Sequence, residues 1–370
     1  MAQYDLVDYL VMAREKGASD LHITPGASPT ARIFGALQPL TEETLTAQDC
    51  RDVIYGVLKD TQRTRFEHEW ELDFALEVEN LGRFRGNVSY VMGAVQANFR
   101  FIPDVIPDLA TLGHSPTVEE WCRAKSGLVL LTGSSGSGKS HTLASITQTI
   151  ARQRCANIVC IEDPTEFVFK QGYSLVHQRE VGSDTQSFAH ALRSALRQDA
   201  DVILLGEMRD EETIRTAMTA AETGHLVIGT LHTTDAPSAI SRILDAYPDE
   251  RQRFVCAQLA SSLLGVVCQY LLPRQGQPGL VLASELLVVN TAIAACIRDR
   301  RISQIPGMMQ IGSADGMHTI DDSLLELLLD ERISLEDALS HCTEQGYFRQ
   351  QFEAAKKQKR KTWFNRLIGS

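Results

Sequence analysis

No uninterrupted apolar run in this chain approaches the ~18 residues of a membrane-spanning helix. Asp5, Asp8 and Glu15 break up the first apolar residues, which excludes the hydrophobic core of a secretory leader, so a cytoplasmic location is the expectation. Positive charge is in short supply: 36 Lys and Arg stand against 47 Asp and Glu, a formal net charge of −11. That balance argues against broad electrostatic capture of nucleic acid, whose phosphates usually demand a basic face. None of the eight cysteines falls in a C-x-x-C pair, so neither a zinc site nor a disulfide framework is signalled, and reduced, mostly buried thiols are expected. Internal repeats and low-complexity segments are also missing. What remains, 370 residues of which 44% are hydrophobic, is enough to bury two substantial cores.

Hydrophobic patterning divides the chain into two parts. Leu6, Tyr9, Leu10 and Ala13 recur at helical spacing up to Gly17, and short strand-like pieces follow around Leu21, Ile23, Ala31, Ile33 and Leu37. A second helix is expected over 49–58, then alternating segments at 71–78 and 83–101 that read as antiparallel strands. This is the pattern of a small α+β domain. Pro103 and Pro107 mark a linker, after which strands alternate with helices. Strands are expected at 128–131, 158–161, 202–205, 226–231 and 281–287, and that alternation implies a parallel sheet. Beyond Asn290 the pattern turns helical.

The chemistry begins at Gly133-Ser134-Ser135-Gly136-Ser137-Gly138-Lys139-Ser140, a G-x-x-x-x-G-K-[ST] phosphate loop. The apolar run 127–132 leads into it as a strand should, and 142–151 supplies the helix behind it. Glycines let backbone N–H groups close around phosphates, Lys139 adds a positive charge, and the Ser140 hydroxyl suits Mg²⁺. A nucleoside triphosphate such as ATP is therefore the expected ligand. His141 follows directly.

Two acidic groups follow apolar strands, where carboxylates serving a nucleotide belong in an α/β sheet. One is Glu207, after Val202-Ile-Leu-Leu-Gly. The other is Glu162-Asp163-Pro164-Thr165-Glu166, any of whose acids can orient an attacking water; spacing alone leaves open which one, or whether they merely cap a turn. His225 and His232 bracket the strand expected at 226–231, and on spacing they read as structural histidines sooner than as a γ-phosphate sensor or a subunit contact. Arg83, Arg85 and Arg100 fall on expected strands of the first domain, either on a solvated face or as arginines acting on a neighbouring subunit's nucleotide.

Taken together, Ile161-Glu-Asp-Pro-Thr-Glu166, Gly206-Glu-Met-Arg-Asp210 and Thr223-Gly-His-Leu-Val-Ile-Gly-Thr-Leu-His232 resemble the motifs of the secretion ATPases of type IV pili and type II secretion, most closely the PilT-like retraction branch. Ala18-Ser-Asp-Leu-His-Ile23, Gly82-Arg-Phe-Arg85, Phe99-Arg100 and Gln178-Arg-Glu-Val-Gly182 extend the resemblance over nearly the whole chain. The resemblance implies an α/β protein with a smaller α+β, PAS-like N-terminal domain (1–101), a linker (102–112) and a RecA-like P-loop ATPase domain with a helical C-terminal region (113–370). It implies a homohexamer that hydrolyses ATP with Mg²⁺ to retract pili, acting on an inner-membrane platform protein from the cytoplasmic face. Residue by residue, it makes Glu166 the general base and Glu207 the Walker B acid that shares Mg²⁺ with Ser140. His225 and His232 become couplers of nucleotide state to the subunit interface, and Arg85 and Arg100 the arginines that reach a nucleotide from an N-terminal domain. The short N-terminal region and the lack of a tetracysteine motif match retraction rather than extension members.

Three departures qualify that match. His141 stands where the family continues with Thr, and Tyr90-Val-Met-Gly-Ala94 replaces an Asn/Gln/Arg-rich segment. Ala292-Ile-Ala-Ala-Cys-Ile-Arg-Asp299 replaces the Ala-Ile-Arg-Asn-Leu-Ile-Arg-Glu of retraction members, before Ser303-Gln-Ile-Pro306 and Met308 resume the pattern. The first and the last support the alternative of a weakly hydrolysing PilT/PilU-type paralogue that regulates another motor. The tail from Lys356, with Lys357, Lys359, Arg360 and Lys361 before Trp363-Phe364, is basic and partly apolar, suited to an anionic membrane face or to a solvated helix.

Overall fold

The structure, a computed structural model, describes residues 4–368 apart from 34, 104 and 170, with side chains described through 357. The chain divides into two compact units, residues 1–105 with 166–168, and residues 106–165 with 169–370.

In the first unit six strands, β1 (Ala18–Ile23), β2 (Thr30–Ile33), β3 (Ala36–Pro39), β4 (Glu71–Val78), β5 (Gly82–Val91) and β6 (Ala94–Phe101), form one antiparallel sheet in the order β3-β2-β1-β6-β5-β4. Alternate side chains point to opposite faces of a strand, so Leu21, Leu72, Phe74, Phe84, Val88, Ala97 and Phe99 gather in one core. The helices Leu6–Glu15 and Ala47–Tyr55 complete that core. Gly86 is required here because a Cβ would lie 2.5 Å from the Phe74 ring. The opposite face carries Arg85, Asn98 and Arg100 into solvent. The helix Asp60–Glu69 escaped the sequence reading because Phe66 is its one buried residue.

The second unit holds a seven-stranded sheet of β7 (Gly127–Thr132), β8 (Asn157–Glu162), β9 (Leu175–Glu180), β10 (Val202–Leu205), β11 (Leu226–Thr230), β12 (Leu263–Pro273) and β13 (Leu280–Val288). Their order is β13-β12-β7-β11-β10-β8-β9, every pairing parallel except that of β12 with β13. Every residue of β7, β10 and β11 is buried. Both faces are covered, which is why these strands are continuous apolar runs rather than alternating ones. On one face Leu128, Leu130, Ile203, Leu205 and Val227 meet the helices Phe188–Ala195, Glu211–Glu222, Ala236–Asp245 and Asp249–Ser262. On the other, Val129, Leu131, Val202, Leu204 and Ile228 meet Leu143, Ile146 and Ile150 of the helix Lys139–Gln153. A third core joins Leu272, Val281 and Ala283 to the C-terminal helices through Leu324, Leu327 and Phe348.

The α/β class stands as expected, and so does the parallel sheet except at 281–287, where β13 runs antiparallel to the unanticipated β12. Two strands were not anticipated: β9, whose Leu-Val-His-Gln-Arg-Glu is largely polar, and β12, an apolar run continuous with the preceding helix. The helix behind the phosphate loop begins at Lys139, three residues before the expected 142, because Gly138 at φ 90° already turns the chain into it.

Glycine tolerance separates packing from conformation. At Gly265 an added Cβ overlaps the Trp121 ring and the Leu287 carbonyl, whereas Gly307 faces open space in a helix. Gly265→Ala is expected to lower unfolding free energy by about 2–3 kcal/mol, and Gly307→Ala to raise it by about 0.5–1 kcal/mol. Denaturant unfolding of both variants checks the pair.

Candidate nucleotide site

The phosphate loop leaves the C-terminal end of β7 and enters the helix Lys139–Gln153, so the helix's first N–H groups and its positive dipole end face the loop. Gly133, Gly136 and Gly138 adopt φ of 138°, 80° and 90°, which side chains resist. A Cβ on Gly133 would lie 2.5 Å from both the Ser137 hydroxyl and the Gln269 carbonyl, so the loop is closed tightly around its own backbone. Lys139 is buried, its Nζ donating to the Gly133 and Ser134 carbonyls at 2.8 Å each. The Ser137 hydroxyl is buried without a hydrogen-bond partner among the described residues. A cradle of backbone N–H groups with an ammonium and hydroxyls at its mouth fits a phosphate chain.

β10 ends two strand spacings from β7, about 10 Å away, and at the same height, since Gly229 of β11 aligns with both Leu130 and Leu205. Glu207 follows, its side chain 17% exposed, with its Oε1 3.1 Å from His232 Nε2 and 2.5 Å from Arg209 Nε. Burial pushes the Glu207 carboxyl up, but the Arg209 guanidinium and the His232 ring outweigh it and hold the group below its ordinary value. Glu207 is thus an anion near neutral pH. Ser140 and Glu207 offer hard oxygen ligands of the kind Mg²⁺ prefers. The described residues hold no cluster of three or more His, Cys, Asp or Glu that could bind a metal alone.

The segment after His232 is tied down on several sides. The Thr132 hydroxyl accepts from the Thr233 N–H at 2.9 Å and donates to its carbonyl at 2.6 Å. Cys268 and Tyr270 of β12 donate to the Thr234 carbonyl, and Glu285 of β13 accepts the Ala236 N–H at 2.8 Å. The strand carrying the phosphate loop and the two strands beyond it therefore all hold this segment.

Not every residue read from the sequence joins this edge. His225 precedes β11 and lies at the opposite, N-terminal end of the sheet, where its carbonyl accepts from Gly127 and its Nδ1 meets the Ala220 carbonyl at 3.0 Å. Parallel strands separate their two ends by about 17 Å over five residues, so His225 cannot share a phosphate with His232 in one chain. It terminates the helix Glu211–Glu222. In the first unit Arg85 and Arg100 are direct cross-strand neighbours of β5 and β6, both exposed, with Arg100 Nε 2.9 Å from the Asp20 carboxylate. Glu166 is exposed on the loop after β8, whereas Glu162 ends β8 and accepts from Gln178 at 3.0 Å. His141 is exposed and does not crowd the cradle. In the helix Thr291–Arg298 the altered motif keeps Ile293 and Ile297 buried, places a buried Cys296 where retraction members have Leu, and differs further at part-exposed Ala294 and Ala295 and at exposed Asp299. Within the basic tail Lys356 lies over the Phe352 ring, while the side chains of Lys359, Arg360, Lys361, Trp363 and Phe364 fall outside the described residues.

Sequence reasoning missed a buried polar network beneath the loop. Gln269 Nε2 donates to the Thr142 hydroxyl at 2.8 Å, and that hydroxyl meets His114 Nε2 at 2.8 Å. Gln269 lies on unanticipated β12 and His114 beside the proline-marked linker, so nothing local in the sequence joins them. Burial, with His318 nearby, pushes the His114 ring down to about 4. The imidazole is neutral at physiological pH, and its Nε2 shares a hydrogen bond with the Thr142 hydroxyl.

A central parallel strand ending in a glycine cradle, with a buried lysine and an ionised acid two strands away, defines a P-loop nucleotide-binding protein. The chain belongs to the type II/IV secretion system protein family, whose pattern matches residues 90–308. It is 41% identical over 334 residues to the type IV pilus retraction ATPase PilT of Pseudomonas aeruginosa, spanning 90% of this chain and 97% of that one. It is 37% identical to the type IV pilus ATPase PilU of the same organism, over 88% of this chain and 86% of that one. The crystal structure of the pilus retraction motor PilT with bound ADP superposes with a TM-score of 0.88 at 43% identity, covering 92% of this chain and 98% of that chain.

The His114 network gives a pH dependence of fixed sign. Between about pH 4 and the ordinary value of 6.5 the unfolded chain holds a proton that the folded ring refuses, so stability is full above 6.5 and falls as pH drops toward 4. Urea unfolding near pH 7.5 and pH 5 should show a loss larger by about 2 kcal/mol in the native chain than in His114→Gln, which cannot titrate. Equal losses in the two proteins would contradict the buried neutral ring.

Proposed function

We propose that this chain is a hexameric motor of the retraction type, hydrolysing ATP to withdraw type IV pili by acting on a membrane platform protein from the cytoplasmic side. The observation that carries the reading is the cradle and Glu207 on one sheet edge, in a chain that aligns with PilT over nearly its whole length. The loop N–H groups and Lys139 hold the β- and γ-phosphates, the ammonium exchanging the Gly133 and Ser134 carbonyls for phosphate oxygens. Ser140 and Glu207 would hold Mg²⁺, which would supply positive charge to the transferred phosphoryl group. Glu166 takes the proton of the attacking water. His232, against Glu207, reports on what lies beyond that carboxylate. Arg85 and Arg100, paired in register, serve the nucleotide of a neighbouring copy. His225, at the far edge of the sheet, supports a role at a subunit contact only. No helix among the described residues is long and apolar enough to cross a membrane, so attachment falls to a partner or to the basic tail.

The altered 292–299 helix and the likeness to PilU favour one other reading, a paralogue that binds nucleotide, turns over slowly and assists another motor. Turnover separates the two. The assembled chain should hydrolyse ATP steadily, and Lys139→Ala, Glu166→Ala and Glu207→Ala should each lower kcat at least about 100-fold. Arg85→Ala should be equally inactive alone yet recover turnover when mixed with Glu207→Ala, because each supplies what its neighbour lacks. Slow turnover with tight ATP binding would favour the accessory reading, and no recovery on mixing would place Arg85 with its own chain's nucleotide.

A further inference from the structure

The Gln178-Arg-Glu segment of β9 is not used by the mechanism above, yet its side chains reach the loop that carries the base. Gln178 spans that loop's two ends: its Nε2 donates to Glu162 Oε1 at 3.0 Å, and its Oε1 accepts the Phe169 N–H at 3.1 Å. Two residues on, the Glu180 carboxylate accepts the Thr165 N–H at 3.1 Å, one peptide before Glu166. Glu180 is only 6% exposed, and its second oxygen takes the Ser183 hydroxyl at 3.4 Å. Residues 163–169 form neither helix nor strand, so their course depends on such side-chain anchors. β9 is itself fixed in parallel register on β8, with Gln178 opposite Cys160 and Glu180 opposite Glu162, and the Val181 N–H returns to the Glu162 carbonyl at 2.9 Å.

We propose that Gln178 and Glu180 are positioning residues for ATP hydrolysis: they clamp the 162–169 loop from the edge strand and so hold Glu166 where it can take a proton from water. A base displaced by about 1 Å can lose a factor near 100 in rate without any change in nucleotide binding. The clamp is polar and directional, and its polarity can be inverted. A carboxylate at 178 opposes that of Glu162, whereas an amide at 162 facing a carboxylate at 178 restores one donor and one acceptor and leaves an oxygen for the Phe169 N–H.

This inference rests on Glu166 as the base, so the test includes Glu166→Ala. On the full-length assembled chain, Gln178→Glu should lower kcat by about 10- to 100-fold with ATP affinity unchanged. Amide hydrogen exchange at Thr165 and Phe169 should quicken in the same variant. The exchanged pair Glu162→Gln with Gln178→Glu should regain turnover and amide protection, and Glu180→Gln, which keeps an acceptor for Thr165, should outperform Glu180→Ala. Wild-type kcat in Gln178→Glu, a parallel loss of ATP affinity, or no recovery in the exchanged pair would each overturn the clamp. If Glu166→Ala keeps wild-type turnover, the base assignment falls and the clamp's catalytic role with it; if Glu166→Ala is dead and Gln178→Glu is not, the clamp alone falls.

Discussion

The nucleotide site depends on parallel strands held in fixed register with both faces buried. β7, β11 and β10 expose nothing along their length, so a slip of one residue would move every side chain into the wrong core. Register therefore sets the height at which each strand ends, and with it the relation of the phosphate loop to Glu207 and His232. The catalytic edge is a consequence of core packing: its polar groups stand where three apolar strands stop together.

The first unit obeys a different rule. Its sheet is antiparallel with one face buried, and alternation leaves the other free for charge. That free face is where Arg85 and Arg100 become neighbours, fifteen positions apart in sequence and opposite each other across two strands. One sheet gathers its polar groups at its edge and the other on its face, and each choice follows from how many faces the sheet must bury.

Much of this was legible in the sequence, and the misses share a cause. The glycines of 133–138 declare their function locally because each must adopt a positive φ or admit a close neighbour, and the apolar runs 202–205 and 226–231 declare burial on both faces. β9 was illegible because an edge strand need not be apolar, and its Gln178 and Glu180 acquire meaning only when pairing with β8 brings them over the 162–169 loop. The His114–Thr142–Gln269 network was hidden because its members come from three elements far apart in sequence. His225 and His232 stand at opposite ends of β11, as their spacing in the sequence implies, and so belong to opposite ends of the sheet.

The anchoring of residues 233–236 has a mechanical consequence. The segment next to His232 is bonded to β7, β12 and β13, and the last two continue into the core shared with the C-terminal helices. A segment held this way is fixed by strands whose own register is set by burial. Residues 233–236 thus join the nucleotide edge, through hydrogen bonds to fixed strands rather than through a free loop, to the two strands that carry the C-terminal helices.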